Sequence, residues 1–281
     1  VLTQVLNASR TAYHRARQRL GAKQKPPPMG EPSPGELGLL RALSEQGFAV
    51  IPGYLTAGEC GGLVKEVEQV FSSAGEKLWR SEDGADVRAY AAETRSADLA
   101  RYNSDASLQR LAELYLGVAQ VPFFTLANRI QPTPGNLGSG GGWHRDSVAE
   151  HQFKSILYLT DVDPGSGPFQ FVPGSHRVRS IVRANVQAAI PFGQHRYSEQ
   201  EIARVCETRG ITPKTFTGAA GTLIVADTSG LHRGMPISRG QRYALTNYFM
   251  TPAQVANSWR QGKFVKNFVG DKVSPARSRQ S

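Results

Sequence analysis

Cysteine is scarce in this chain. Cys60 and Cys206 are the only two in 281 residues, and their distance in sequence offers no disulfide framework, no C-x-x-C redox pair and no cysteine zinc site. Long apolar runs are missing too. None reaches the roughly 18–20 residues that a membrane span requires, and the first twenty residues hold no continuous apolar stretch of the signal-peptide kind. A reducing, cytoplasmic setting is the expectation. Acidic residues are absent from residues 1–30, which carry Arg10, Arg15, Arg17, Arg19, Lys23 and Lys25. Residues 251–281 carry six basic side chains against Asp271 alone. The two ends account for the formal +10 and leave the body between them at −1. Basicity gathered at the ends, not around a pocket, argues against an enzyme that grips nucleic acid.

What is present suits one catalytic domain, since no internal repeat is visible. Residues 1–35 read as a basic helix followed by a stiff linker, Lys25-Pro26-Pro27-Pro28 to Pro34-Gly35. The helix fits two readings: contact with an anionic membrane surface, or packing on the domain or a second subunit with solvated arginines. Residues 36–250 form the domain, and 251–281 a basic tail. Helices are expected over Glu36 to Gln46, from Thr56 to about Phe71, over Leu108 to Leu116, and from Ser198 to about Glu207. Thr56/Glu59 and Ser198/Glu201 are capping boxes, in which each side chain satisfies a free amide at the helix start. Residues 75–106 are polar and carry no clear period. From Val121 the period changes to that of strands: 123–131, 154–160, 169–172, 214–217, 221–226, 231–234 and 241–250. Strands after a helical first part predict a mainly β fold with flanking helices (α+β), a double-stranded β-helix of the jelly-roll or cupin-like barrel type.

The chemistry centres on Gly140-Gly141-Gly142-Trp143-His144-Arg145-Asp146. In extended backbone, residues two apart face the same side, so His144 and Asp146 can enter one cavity together. They supply two thirds of a two-His-one-carboxylate facial site, the set that leaves positions open on iron(II). A third ligand, His232, follows the apolar run Leu223 to Ala226 and the turn Thr228-Ser229-Gly230. Arg242 lies ten residues further on, at the start of a strand. The glycine run 138–142 lacks the Lys-Ser/Thr of a phosphate loop and leads into no helix, so it reads as a lip beside the metal.

The H-x-D, the distal His-x9-Arg, the segment Gly167-Pro168 to Pro173-Gly174-Ser175-His176 and Ser238 four residues before Arg242 together resemble the phytanoyl-CoA dioxygenase-like branch of the iron(II)/2-oxoglutarate dioxygenases. The likeness covers roughly residues 45–250. Pro236 departs from it, standing where the branch often has asparagine. The resemblance implies that His144, Asp146 and His232 hold iron(II), that 2-oxoglutarate and dioxygen take the remaining positions, and that decarboxylation to succinate and CO2 drives hydroxylation of a small or medium-sized molecule. Asp146 favours hydroxylation, or another outcome of the same ferryl intermediate, over halogenation, because related halogenases replace this carboxylate with a small residue.

Arg242 would clamp the far carboxylate of 2-oxoglutarate as a two-pronged, charge-assisted pair, helped by Ser238 and Asn128. Trp143 and Gln170 are candidate pocket-lining residues. Arg177, with Arg179 and Arg183, fits either an anionic substrate at the pocket rim or a solvated loop. The insertion at 177–212 has the size of a lid. His14, His151, His176 and His195 read as structural or solvated. Two other functions remain open on sequence: oxidative demethylation of nucleic acid, and a non-catalytic barrel serving as a scaffold.

Overall fold

The computed structural model describes residues 30–147, 150–191 and 193–272, with Ala12 and Ser274 as isolated positions. The basic N-terminal helix expected over residues 1–20, and Arg277 and Arg279 at the other end, lie outside the described residues.

Local chemistry sets the helical layer. Helix α1 (Pro34–Gln46) starts on a Ser33/Glu36 capping box with Pro34 in its first turn, and stops where Gly47 turns left-handed at φ 91°. Helix α2 (Ala57–Ala74) starts on the Thr56/Glu59 box and runs one turn past the expected end. Helices α3 (Ala97–Asn103) and α4 (Ala106–Leu116) are capped by Ser96 and Asp105. Their apolar stripes meet the outer face of a seven-stranded sheet, where Leu43, Leu63, Val67, Leu99 and Leu111 pack with Leu157, Leu223 and Leu245. Each of those fully buried leucines contributes roughly 1.5–3 kcal/mol by leaving water.

The strands are β1 (Phe48–Ile51), β2 (Trp79–Arg80), β3 (Asp86–Tyr90), β4 (Val121–Ile130), β5 (Phe153–Tyr158), β6 (Phe169–Phe171), β7 (Lys214–Phe216), β8 (Leu223–Asp227), β9 (His232–Gly234) and β10 (Arg242–Met250). The larger sheet has the order β1-β8-β5-β10-β4-β3-β2 and the smaller β7-β6-β9. Every pairing between these strands is antiparallel. Phe169, Phe171 and Phe216 of the small sheet close on Tyr158, Ile224 and Ala244 of the large one. This is the expected jelly-roll arrangement. Toward the open end of the sandwich, alternate residues of four strands face a shared cavity: 86, 88 and 90 on β3, 126 and 128 on β4, 154, 156 and 158 on β5, and 242, 244, 246 and 248 on β10.

Three stretches differ from the sequence reading. The polar segment 75–106 contains β2, β3 and α3, whose short lengths leave no period to read. The 177–212 insertion carries α5 (Val178–Gln187) ahead of α6 (Glu199–Glu207). The folded body also continues beyond residue 250, where only a basic tail was expected. Helix α7 (Pro252–Gln261) begins on a Thr251/Gln254 capping box, and Val255 and Phe268 pack with Phe123, Phe124 and Met250. Lys272 then pairs with the buried Glu93 at 2.5 Å. The basic residues of this segment are spaced around apolar anchors, which the charge total conceals.

Candidate metal and cosubstrate site

The H-x-D segment is not part of a regular strand. His144 instead makes isolated antiparallel bridges with His232 and Arg196. The His144 and His232 amides donate to each other's carbonyls at 2.9 and 3.0 Å, and the Asp146 amide donates to the Thr228 carbonyl at 3.0 Å. These bonds keep the backbone extended enough for residues 144 and 146 to face one side, and they bring β9 alongside. One ligand atom from each of His144, Asp146 and His232 lies within 4.8 Å of the others, the only such group of three among the described residues.

The tautomers suit metal binding. Nδ1 of His144 lies 2.8 Å from the Gly142 carbonyl, and Nδ1 of His232 lies 2.9 Å from the Gly230 carbonyl. A carbonyl only accepts, so Nδ1 carries the hydrogen in each ring and Nε2 presents its lone pair to the shared space. Burial lowers the proton affinity of both rings, that of His232 to about 3, and keeps them neutral. Burial opposes ionisation of Asp146, but the Lys154 ammonium together with the His232 and His144 rings outweighs it and holds the carboxyl well below its usual range. Two neutral imidazoles and one carboxylate fit an open-sided divalent site, not a closed structural one.

Gly140 supports this geometry directly. Its φ is +88°, and a Cβ there would stand 2.4 Å from Cε1 of His144. Since that ring is tied to the Gly142 carbonyl, it cannot simply swing away. Gly140→Ala is therefore expected to weaken iron(II) binding about tenfold or more, as loss of a ligand-orienting contact does. Equilibrium dialysis beside a circular-dichroism check of folding measures this; unchanged affinity would remove Gly140 from the site.

The cavity in front of these ligands has a volume of about 700 Å³. Arg242 lies deep in its wall, only 4 % exposed. It donates to the Gly167 carbonyl and, at 3.3 Å, to Oδ1 of Asn128, while its buried Nε has no partner. None of the salt bridges among the described residues gives it a carboxylate, and burial disfavours its charge. A buried guanidinium in a cavity wall, with no carboxylate of its own, is matched by a carboxylate. Asn128 is held in turn by Asp86, to which its Nδ2 donates, and Arg88 donates to that same aspartate.

Other expected site residues lie elsewhere. Ser238 is exposed and donates to the Gly165 carbonyl at 3.3 Å, outside the cavity lining. Trp143 points away from its neighbour His144 into a separate apolar cluster with Val172, Ile202 and Leu231. Gln170 follows the strand alternation outward to Thr215 and Arg233, so Phe169 occupies the cavity wall in its place. Arg177 and Arg179 line a different cavity with Leu40, Tyr115 and His176, and Arg183 is exposed on α5. The insertion does reach the site, through Arg196, whose Nη1 donates to the carbonyls of Gly140 and Gly141 at 2.9 Å. A second cavity of about 370 Å³ opens on His144 and Asp146 from the side of α7.

Sequence reasoning missed Lys154, Asp86 and Tyr248. Lys154 was visible as the one cation in an otherwise apolar strand. Asp86 sits in the segment without a period, and Tyr248 looked like any strand aromatic.

The phytanoyl-CoA dioxygenase family model matches residues 43–238. The chain belongs to the phytanoyl-CoA dioxygenase family. Ectoine dioxygenase of Halomonas elongata is 28 % identical over 236 residues, which cover 75 % of this chain and 68 % of that protein. The Stutzerimonas stutzeri ectoine dioxygenase is 24 % identical over 220 residues, 69 % of each chain. Among solved structures, EctD from S. alaskensis with 2-oxoglutarate and 5-hydroxyectoine superposes with a TM-score of 0.59 at 17 % identity, over 83 % of this chain and 80 % of that one. The epimerase SnoN in complex with Fe3+, alpha ketoglutarate and nogalamycin RO gives 0.59 at 19 % identity, over 78 % and 84 %. This family member is an iron(II)- and 2-oxoglutarate-dependent dioxygenase of small organic molecules, with dioxygen as the co-substrate. None of its helices among the described residues is long and apolar enough to cross a membrane.

Proposed function

We propose that His144, Asp146 and His232 hold the iron, that Arg242, steadied by Asn128, receives the far carboxylate of 2-oxoglutarate, and that the chain hydroxylates a small organic molecule in the 700 Å³ cavity. The observation that carries this reading is the placement of three convergent ligand atoms within 4.8 Å of one another, at the cavity whose wall holds a buried arginine without a carboxylate.

Iron(II) supplies dioxygen activation coupled to oxidative decarboxylation of 2-oxoglutarate. The chain's residues position the parts. The two Nδ1–H···O=C bonds fix the imidazoles, so binding requires no ring reorientation. Arg242 fixes one end of the cosubstrate, and the Asp86–Asn128 contact keeps the Asn128 carbonyl turned toward Arg242. The aromatic walls Tyr158, Phe169 and Tyr248 displace water from the site. Arg196, bonded to the glycine lip, holds the mouth.

The overall change consumes 2-oxoglutarate, dioxygen and a C–H bond and yields succinate, CO2 and an alcohol. The test uses 18O-labelled dioxygen. Succinate formed by the purified, iron-loaded protein should carry one labelled oxygen, and His232→Ala should form none. Unlabelled succinate, or equal formation by His232→Ala, would refute the assignment. Ectoine, the compound in the relatives' names, is the first substrate to offer in the coupled assay.

A further inference from the structure

The cavity contains a cation whose charge iron and 2-oxoglutarate binding leave only partly paired. Lys154 projects from β5 beside the proposed ligands, is 5 % exposed and lines the cavity. Its ammonium lies 2.7 Å from Oδ2 of Asp146 and 3.9 Å from the centre of the Tyr248 ring. The same Oδ2 lies 3.7 Å from Nε2 of His232, so one carboxylate oxygen faces both the ammonium and the proposed metal position. Asp146 carries a single negative charge. A divalent ion on its histidine side claims most of that charge and repels the ammonium.

The charges around the cavity make the same point. Among the described residues, its sheltered wall holds three cations, Arg88, Lys154 and Arg242, against two carboxylates, Asp86 and Asp146. Arg88 is bound to Asp86 at 2.6 Å. Both metal-facing histidines are neutral. Iron(II) and the dianion of 2-oxoglutarate cancel each other, which leaves one positive charge in excess. That excess sits on Lys154, since Arg242 faces the cosubstrate and Arg88 keeps Asp86. Glu82, Asp83 and Arg196 at the rim are exposed and are screened by water. A buried charge is stable only when paired, and the face of one tyrosine compensates an ammonium only in part.

We infer that Lys154 is the substrate anchor, and that the substrate is a small organic acid whose single carboxylate pairs with this ammonium while its apolar body lies along Tyr248 and Phe264. This rests on the iron and 2-oxoglutarate assignment above. A carboxylate suits the excess of one charge better than a phosphate monoester, which carries close to two at neutral pH. The anchor also sets where oxidation occurs, because it holds the acid group beside Asp146 and leaves the carbons next to it nearest the ligands. Arg177 is excluded from this role by its position in another cavity.

The test uses the full chain loaded with iron(II) and 2-oxoglutarate under nitrogen, so that no turnover occurs. Calorimetric titrations compare phenylacetate with phenylacetamide, which has the same shape and no charge, at equal ionic strength. The intact protein should bind phenylacetate at least about tenfold more tightly, a difference of one ion pair. Lys154→Met should lose that preference and Lys154→Arg should keep it. Equal binding of the two probes, binding of neither, or a preference that survives in Lys154→Met would overturn the inference. Failure of the underlying assignment looks different: the intact protein would then show no visible iron(II)–2-oxoglutarate charge-transfer band before any probe is added.

Discussion

Arg242→Ala should raise the 2-oxoglutarate concentration needed for half-saturation by about a hundredfold, with iron(II) binding itself little changed. Arg242 starts β10, where its register against Ile130 and the alternation of the strand turn it into the cavity. Its Nη groups reach the Gly167 carbonyl and Asn128, neither of which carries charge, and its Nε is unpartnered. The guanidinium therefore has its charge to give to a ligand. Removing one member of a buried, hydrogen-bonded charge pair costs roughly 2–5 kcal/mol, and a hundredfold change lies inside that range. Arg242→Lys should recover little, since an ammonium cannot make a two-pronged contact. Titration of the charge-transfer band measures both variants. Arg242→Ala with ordinary 2-oxoglutarate affinity would place the carboxylate elsewhere.

Asp146→Ala should abolish iron(II) binding and also destabilise the fold by roughly 2–4 kcal/mol, which lowers the melting temperature by several degrees. The two effects have separate causes. Iron loses the only anionic ligand the chain supplies, while Lys154 is left as a buried ammonium with no carboxylate at 2.7 Å. The loss is smaller than for a fully buried pair because the Asp146 side chain is 25 % exposed. The double variant Asp146→Ala/Lys154→Met should therefore regain most of the stability and none of the iron binding. Thermal unfolding of the two variants measures this coupling. Equal melting temperatures would show that the ion pair does not hold Lys154 in the wall.

The site was legible in the sequence to the extent that it depends on short-range geometry. His144 and Asp146 face one way because residues two apart do so in any extended backbone, even though the segment proved to be a pair of bridges and not a strand. Arg242 followed from its spacing after His232 and Asn128 from its place on the strand before the H-x-D, and strand alternation turns both into the cavity; His232 followed from the apolar run and turn before it. Gln170 failed under the same rule, because its phase on β6 is set by Phe169 and Phe171 filling the space between the sheets. Trp143 failed because it adjoins His144 and so must face the other way. Ser238 and Arg177 were placed by likeness of pattern alone, which fixes no direction for a side chain.

The long-range parts were hidden. Asp86 reaches Asn128 only because β3 pairs with β4, and nothing within residues 75–106 announces that pairing. Lys154 becomes meaningful only once β5 lies beside the 144–146 bridge. The C-terminal helix was masked by its charge: Arg260, Lys263 and Lys266 dominate a segment whose contacts are made by Val255, Phe264 and Phe268.

The most direct measurement is an anaerobic titration of the intact protein with iron(II) in the presence of 2-oxoglutarate, followed in the visible range. The ligand set predicts one iron per chain and a metal-to-ligand charge-transfer band that grows with it, absent from His232→Ala. A folded protein that takes up no iron and gives no band would contradict the assignment of His144, Asp146 and His232.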